Sequence, residues 1–109
     1  MERFVKGDVV VLPFPFSDLS SSKKRPALVL ADLQTDDIIL CQITSQFVKD
    51  NNSVELRISD YSRGSLNKTS NIRPNRLFTA DKRIILRTVG TVKPEILQHV
   101  IKNLFEIIS

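Results

Sequence analysis

The usual equipment for acid–base or metal chemistry is nearly absent from this chain. Its only histidine is His99, so a histidine pair acting as general acid and base is excluded within one chain. Its only cysteine, Cys41, sits in the apolar run Ile38-Ile39-Leu40-Cys41 and reads as a small buried hydrophobe. No Cys/His set has zinc-ligand spacing. No Gly-x-Ser-x-Gly elbow presents a nucleophilic serine. Gly7, Gly64 and Gly90 are the only glycines and lie too far apart for a phosphate-cradling loop. The adjacent carboxylates Asp36 and Asp37 read as a polar turn rather than a cation site. What remains is a large supply of cations and hydroxyls. Catalysis by such a set works through charge and hydrogen-bond stabilisation of a developing anion. It calls for no metal and no cofactor.

The cations are unevenly spread. The net charge is +4, but the stretch from Arg57 to Lys93 carries nine Lys or Arg against two Asp, and the remainder carries seven against ten acidic residues. One continuous region therefore bears +7 and the rest −3. A cluster of that kind attracts a polyanion, nucleic acid being the obvious one. A solvated basic surface that keeps the protein soluble accounts for the same count.

The elements that must hold these residues are short. Val9-Val10-Val11-Leu12, bounded by Pro13 and Pro15, reads as a first, well-buried strand. Phe14 to Lys24 read as a loop rich in serine. Arg25-Pro26 leads into a second strand, Ala27 to Ala31, with Pro26 as its first residue. Ile38 to Thr44 form a third. Val54-Glu55-Leu56-Arg57-Ile58 alternates apolar and charged residues and predicts a fourth. A turn or short helix is expected around Asp60 to Gly64. Two more strands are expected over Asn71–Thr79 and Arg83–Val92. Pro94 then opens a helix at its favoured first position, with Glu95 in the positive first turn. Ile96, Leu97, Val100, Ile101, Leu104, Phe105 and Ile108 recur at helical spacing. They cover much of the helix circumference, which fits burial on two sides. The connections leave no room for crossover helices. The expected class is therefore mainly β with a C-terminal helix, a small SH3-like or OB-like barrel, and by length one domain over residues 1–109.

Several of these segments, taken in order, resemble the PemK/MazF toxin family. They are Gly7-Asp8-Val9-Val10-Val11, then Lys24-Arg25-Pro26-Ala27-Leu28-Val29-Leu30, then Gln42-Ile43-Thr44-Ser45-Gln46. Gly64-Ser65-Leu66 with Thr69-Ser70-Asn71-Ile72-Arg73 follows, and so does Thr88-Val89-Gly90-Thr91-Val92. The resemblance runs from about Lys6 to Ile108. It implies an SH3-like barrel of the CcdB/PemK kind, usually a homodimer. It implies ribosome-independent cleavage of single-stranded RNA without a metal, and a cognate antitoxin, with which such toxins also bind DNA.

Carried over residue by residue, the family's catalytic arginine falls on Arg25 and its catalytic threonine on Thr44. Its later serine falls on Ser70. Ser45 and Gln46, which follow Thr44, join Ser70 as RNA contacts. Lys68, Arg73 and Arg76 are candidate phosphate contacts, and Phe16 is a candidate stacking platform for an unpaired base. Where many relatives carry an acidic residue and glycines before the arginine, this chain has Ser20-Ser21-Ser22-Lys23-Lys24. The implied reaction is attack by the adjacent 2′-OH through a pentacoordinate phosphorane. It leaves a 2′,3′-cyclic phosphate and a 5′-OH. A guanidinium fork suits two equatorial oxygens of that intermediate. Arginine is effectively always protonated, so Arg25 acts as stabiliser and proton donor rather than base. Other readings of the residues are a non-catalytic toxin of similar fold that binds a protein such as a topoisomerase, and a plain nucleic-acid-binding barrel. No apolar run approaches a membrane span and no secretory leader pattern is present, so a cytoplasmic protein is expected.

Overall fold

The computed structural model describes residues 3–14 and 23–109. Among these residues seven strands run in chain order: β1 (Asp8–Phe14), β2 (Lys23–Asp32), β3 (Asp37–Thr44), β4 (Val54–Leu56), β5 (Tyr61–Gly64), β6 (Ser70–Asp81) and β7 (Arg87–Val92). A long helix, α1 (Pro94–Ile108), follows. Every pairing is antiparallel, in the order β4-β6-β3-β2-β1-β7-β5. The sheet curls into a half-barrel with β4 and β5 at its edges.

The central strands are continuous apolar runs because both faces are covered. Alternation along the strand sends neighbours to opposite faces. Val9, Leu28, Cys41, Ile43, Ile72 and Val92 pack on one side around the fully buried Val100 of α1. Val10, Leu12, Ala27, Val29, Ile38 and Leu40 pack on the other with Phe4, Ala80 and Ile85. Burying one such Leu or Ile stabilises the fold by about 1.5–3 kcal/mol. Burial pushes the Cys41 thiol up to about 12, as expected for an inert core residue.

α1 starts as its sequence predicts, with Pro94 in the first turn and Glu95 beside it. Ile96, Leu97 and Leu104 pack on the core. Its outer ridge, Ile101, Phe105 and Ile108, is exposed at 42%, 66% and 70% in the single chain.

Several expectations shift. β2 begins at Lys23, before Arg25-Pro26, rather than at the proline. Pro26 is tolerated there because only β1 pairs beside it, the β3 register starting at Ala27. The fourth strand stops at Leu56, since the Asp60 side chain accepts the Arg57 N–H at 2.8 Å and starts a 3-10 turn over Ile58–Asp60. The expected turn at Asp60–Gly64 is largely strand β5. It lacks an apolar alternation because it is an edge strand whose Ser62, Arg63 and Gly64 are exposed. The strand expected to open at Arg83 opens at Arg87. Asp81 accepts the Arg83 backbone N–H at 2.8 Å and grips its guanidinium at 2.6 Å, fixing a 3-10 turn over Lys82–Ile84.

Two of the family-like segments have direct physical causes here. Asp8 is buried, accepts the Val5 N–H at 3.0 Å and accepts the Thr91 hydroxyl at 2.9 Å. It thereby ties β1 to β7. Gly64 faces Gly90 across β5 and β7. A Cβ on Gly64 would lie 2.3 Å from the Val89 carbonyl oxygen, and one on Gly90 would lie 2.7 Å from that of Arg63. Only glycine permits this approach, which sets where residues 65–69 leave the sheet.

Candidate functional site

β2 and β3 stop pairing at Ala27 and Gln42. Their register there is regular, with Ala27 opposite Gln42, Leu28 opposite Cys41 and Val29 opposite Leu40. Arg25 and Thr44 each lie two residues beyond the Ala27–Gln42 pair, on β2 and β3 respectively. Alternation puts both on the face of Ala27, Val29 and Leu40. The two residues therefore flank the point where the strands part. Thr44 is also paired on its other side with Asn71 of β6, so it is fixed by the sheet.

An open cavity of about 490 Å³ lies at this point. One wall is Lys23, Lys24, Arg25 and Pro26 of β2. Another is Ile43, Thr44, Ser45 and Gln46 at the end of β3. The third is Leu66, Asn67, Lys68 and Ser70, the segment delivered by the Gly64–Gly90 contact. Among the described residues that line it, four are cations and none is a carboxylate. The field inside is therefore suited to an anion.

The polar groups of the cavity are held by local bonds. The Thr44 hydroxyl oxygen accepts the Gln46 N–H at 3.2 Å, which leaves its proton to donate elsewhere. Asn71 donates its side-chain amide to the Gln46 carbonyl at 3.1 Å. Ser70 is buried and donates its hydroxyl to the Lys68 carbonyl at 3.1 Å, bracing the third wall. Arg25 is partly buried.

Arg25, Thr44, Ser45, Gln46, Lys68 and Ser70 are thus brought together as lining residues. Phe16 lies outside the described residues. Arg73 and Arg76 are not among the lining residues. Both belong to a bulge in β6, where Cys41 pairs with Leu77 but the next residue, Gln42, pairs with Arg73. Arg73 turns its guanidinium to Asp50 at 3.4 Å, and both side chains are largely buried. Asp50 also accepts the N–H groups of Asn52 and Ser53, so this pair fastens the loop between β3 and β4. Lys23 and Lys24 join the site without having been selected from sequence. Their signal was the unbroken cationic triplet ending at Arg25. Ile43 and Leu66 supply an apolar part of the lining that no sequence pattern separates from core.

A family model described as "PemK-like, MazF-like toxin of type II toxin-antitoxin system" matches residues 5–108. The chain belongs to that family. Its fold is shared with MazF (Form-I) from Deinococcus radiodurans at 20% identity and a TM-score of 0.77, covering 98% of this chain and 97% of that one. An endoribonuclease in complex with its cognate antitoxin, from a mycobacterial species, is similar at 16% identity and TM-score 0.77, covering 95% and 93%. A second mycobacterial endoribonuclease is similar at 18% identity and TM-score 0.75, covering 97% and 91%. No curated protein sequence matches the chain significantly. Among the described residues, no helix of this family member is long and apolar enough to cross a membrane.

Proposed function

We propose that this toxin is a metal-independent, ribosome-independent endoribonuclease that cuts single-stranded RNA, mRNA above all, in the cytoplasm. The observation that carries this reading is that Arg25 and Thr44 line one cavity whose described lining holds four cations, Arg25 among them, and no carboxylate. The endoribonuclease names of proteins with this fold point the same way.

The reaction follows from the groups available. A phosphodiester enters the cavity against Lys23, Lys24 and Lys68, which hold the flanking phosphates. The 2′-OH beside the scissile phosphate attacks phosphorus, and a phosphorane forms. Arg25 donates two parallel N–H bonds to its equatorial oxygens, and Thr44 donates its hydroxyl to the same centre. The P–O5′ bond breaks, water delivers a proton to the leaving oxygen while Arg25 stays a cation, and a 2′,3′-cyclic phosphate remains. The proton of the attacking hydroxyl passes to solvent or to a group outside this pair. Ser45, Gln46 and Ser70 shape the wall against which the substrate lies.

The partners fit the same picture. A cognate antitoxin silences the cavity by occupying it, as an antitoxin partners the mycobacterial and Deinococcus relatives. The exposed ridge Ile101–Phe105–Ile108 supports assembly as a homodimer, because a single chain leaves those side chains in water.

An RNA oligonucleotide carrying one 2′-deoxynucleotide at the cut position tests the reading. The all-ribose strand is cut and the substituted strand is not, because the nucleophile is gone. Equal cutting of both strands would exclude this chemistry.

A further inference from the structure

Phe47 is the most exposed large hydrophobic residue among the described residues, at 84%. It directly follows Thr44-Ser45-Gln46, the wall of the cavity. An isolated exposed phenylalanine needs no explanation by itself, but two features set this one apart. First, its loop is fastened on both sides. Asn71 holds the Gln46 carbonyl at 3.1 Å, Asp50 caps Asn52 and Ser53, Arg73 holds Asp50, and Asn103 of α1 donates to the Asn52 carbonyl at 3.0 Å. The backbone that carries the ring is therefore held on both sides, at Gln46 and from Asp50 to Ser53. Second, it is the residue after Gln46, which lines a cationic cavity. Cations that track a backbone, with an aromatic face beside them, are the two parts of a single-strand binding surface.

We propose that Phe47 is a base-stacking platform. The nucleobase adjoining the phosphate held by Arg25 and Thr44 swings out of the strand and lies on its ring, beside the exposed Gln46, whose amide meets the base edge. The proposal rests on the endoribonuclease reading of the cavity. Phe47 touches substrate in the bound complex but takes no part in bond making, so its contribution appears in binding. A protein segment could also cover a phenylalanine, but it would not be drawn by the adjoining lysines unless acidic. The contiguous cationic lining favours the polyanion.

The chain has no tryptophan, so Phe47→Trp introduces a single reporter. Its emission is expected to be quenched by a fully 2′-O-methylated single-stranded RNA, which binds without being cut. Inorganic polyphosphate of equal charge should leave it unchanged. In cleavage assays on an oligonucleotide cut by the parental protein, Phe47→Ala and Phe47→Leu raise KM by roughly 5- to 150-fold. They leave kcat within about twofold, while Phe47→Trp keeps the parental KM. An unchanged KM for Phe47→Ala overturns the proposal and leaves the endoribonuclease reading standing. So does a full recovery of KM in Phe47→Leu, which indicates apolar contact without stacking. Loss of antitoxin affinity in Phe47→Ala with RNA kinetics intact assigns the ring to a protein partner and also overturns it. A parental protein that cuts no single-stranded RNA defeats the underlying reading and this proposal together.

Discussion

The charge of the cavity sets a measurable salt dependence. Lys23, Lys24, Arg25 and Lys68 line it, and no carboxylate among the described residues offsets them there. Each phosphate that they neutralise releases condensed counterions. For a single strand the slope of log affinity against log salt is about −0.7 per phosphate contacted. Four contacts give a slope near −2.8, so raising monovalent salt from about 50 to 200 mM weakens binding about 50-fold. Removing one cation by Lys24→Ala lowers the slope to about −2.1 and the loss over the same range to about 20-fold. Lys24 is exposed on a strand, so the substitution spares the core. The assay is fluorescence anisotropy of a labelled 2′-O-methyl RNA titrated with protein at several salt concentrations. A parental slope shallower than −1, or an unchanged slope in Lys24→Ala, would refute the argument that these side chains grip the phosphates.

Three further outcomes are expected. Thr44→Val keeps the shape of the side chain and removes its hydroxyl, so kcat falls by about 10²–10³ with little change in thermal stability, measured by single-turnover cleavage and calorimetry. Gly90→Ala drives a methyl against the Arg63 carbonyl and destabilises the fold by about 1–3 kcal/mol, read from denaturant unfolding, with cleavage reduced because the Leu66–Lys68 wall shifts. Asp81 is held down to about 2 by its hydrogen bonds from Arg83, first the guanidinium and then the backbone N–H. A lowered folded-state value means its contribution is complete above the ordinary carboxylate range and is lost as pH falls through the window from about 4 to 2. Asp81→Asn is therefore expected to flatten the fall of stability in that window, as followed by circular dichroism.

The mainly β class and the terminal helix were legible because their signals are local. Val9–Leu12 and Ile38–Cys41 are apolar runs of strand length, and Pro94-Glu95 marks a helix start. The middle of the chain was less legible because its edges are set by side-chain capping. Asp60 and Asp81 each end a pattern that periodicity alone would continue. β5 escaped notice because its order comes from backbone pairing with β7 and from the Gly64–Gly90 approach, neither of which depends on apolar residues. The site was partly legible. Arg25 and Thr44 are 19 positions apart in sequence, and only the pairing of β2 with β3 brings them into one cavity. Arg73 reads from the sequence as a phosphate contact in a basic stretch. Its pairing with Asp50 is a tertiary fact that no spacing announces.

The central claim is that Arg25 stabilises the phosphorane in a reaction that uses the RNA's own 2′-OH. The most direct measurement is mass spectrometry of the product ends, with rates, for parental protein and Arg25→Ala in the presence of a chelator. The account predicts 2′,3′-cyclic phosphate and 5′-OH ends from the parental protein. It also predicts a loss of about 10²–10³ in kcat for a folded Arg25→Ala. A folded Arg25→Ala that cuts at the parental rate, or products with 5′-phosphate ends, would contradict it.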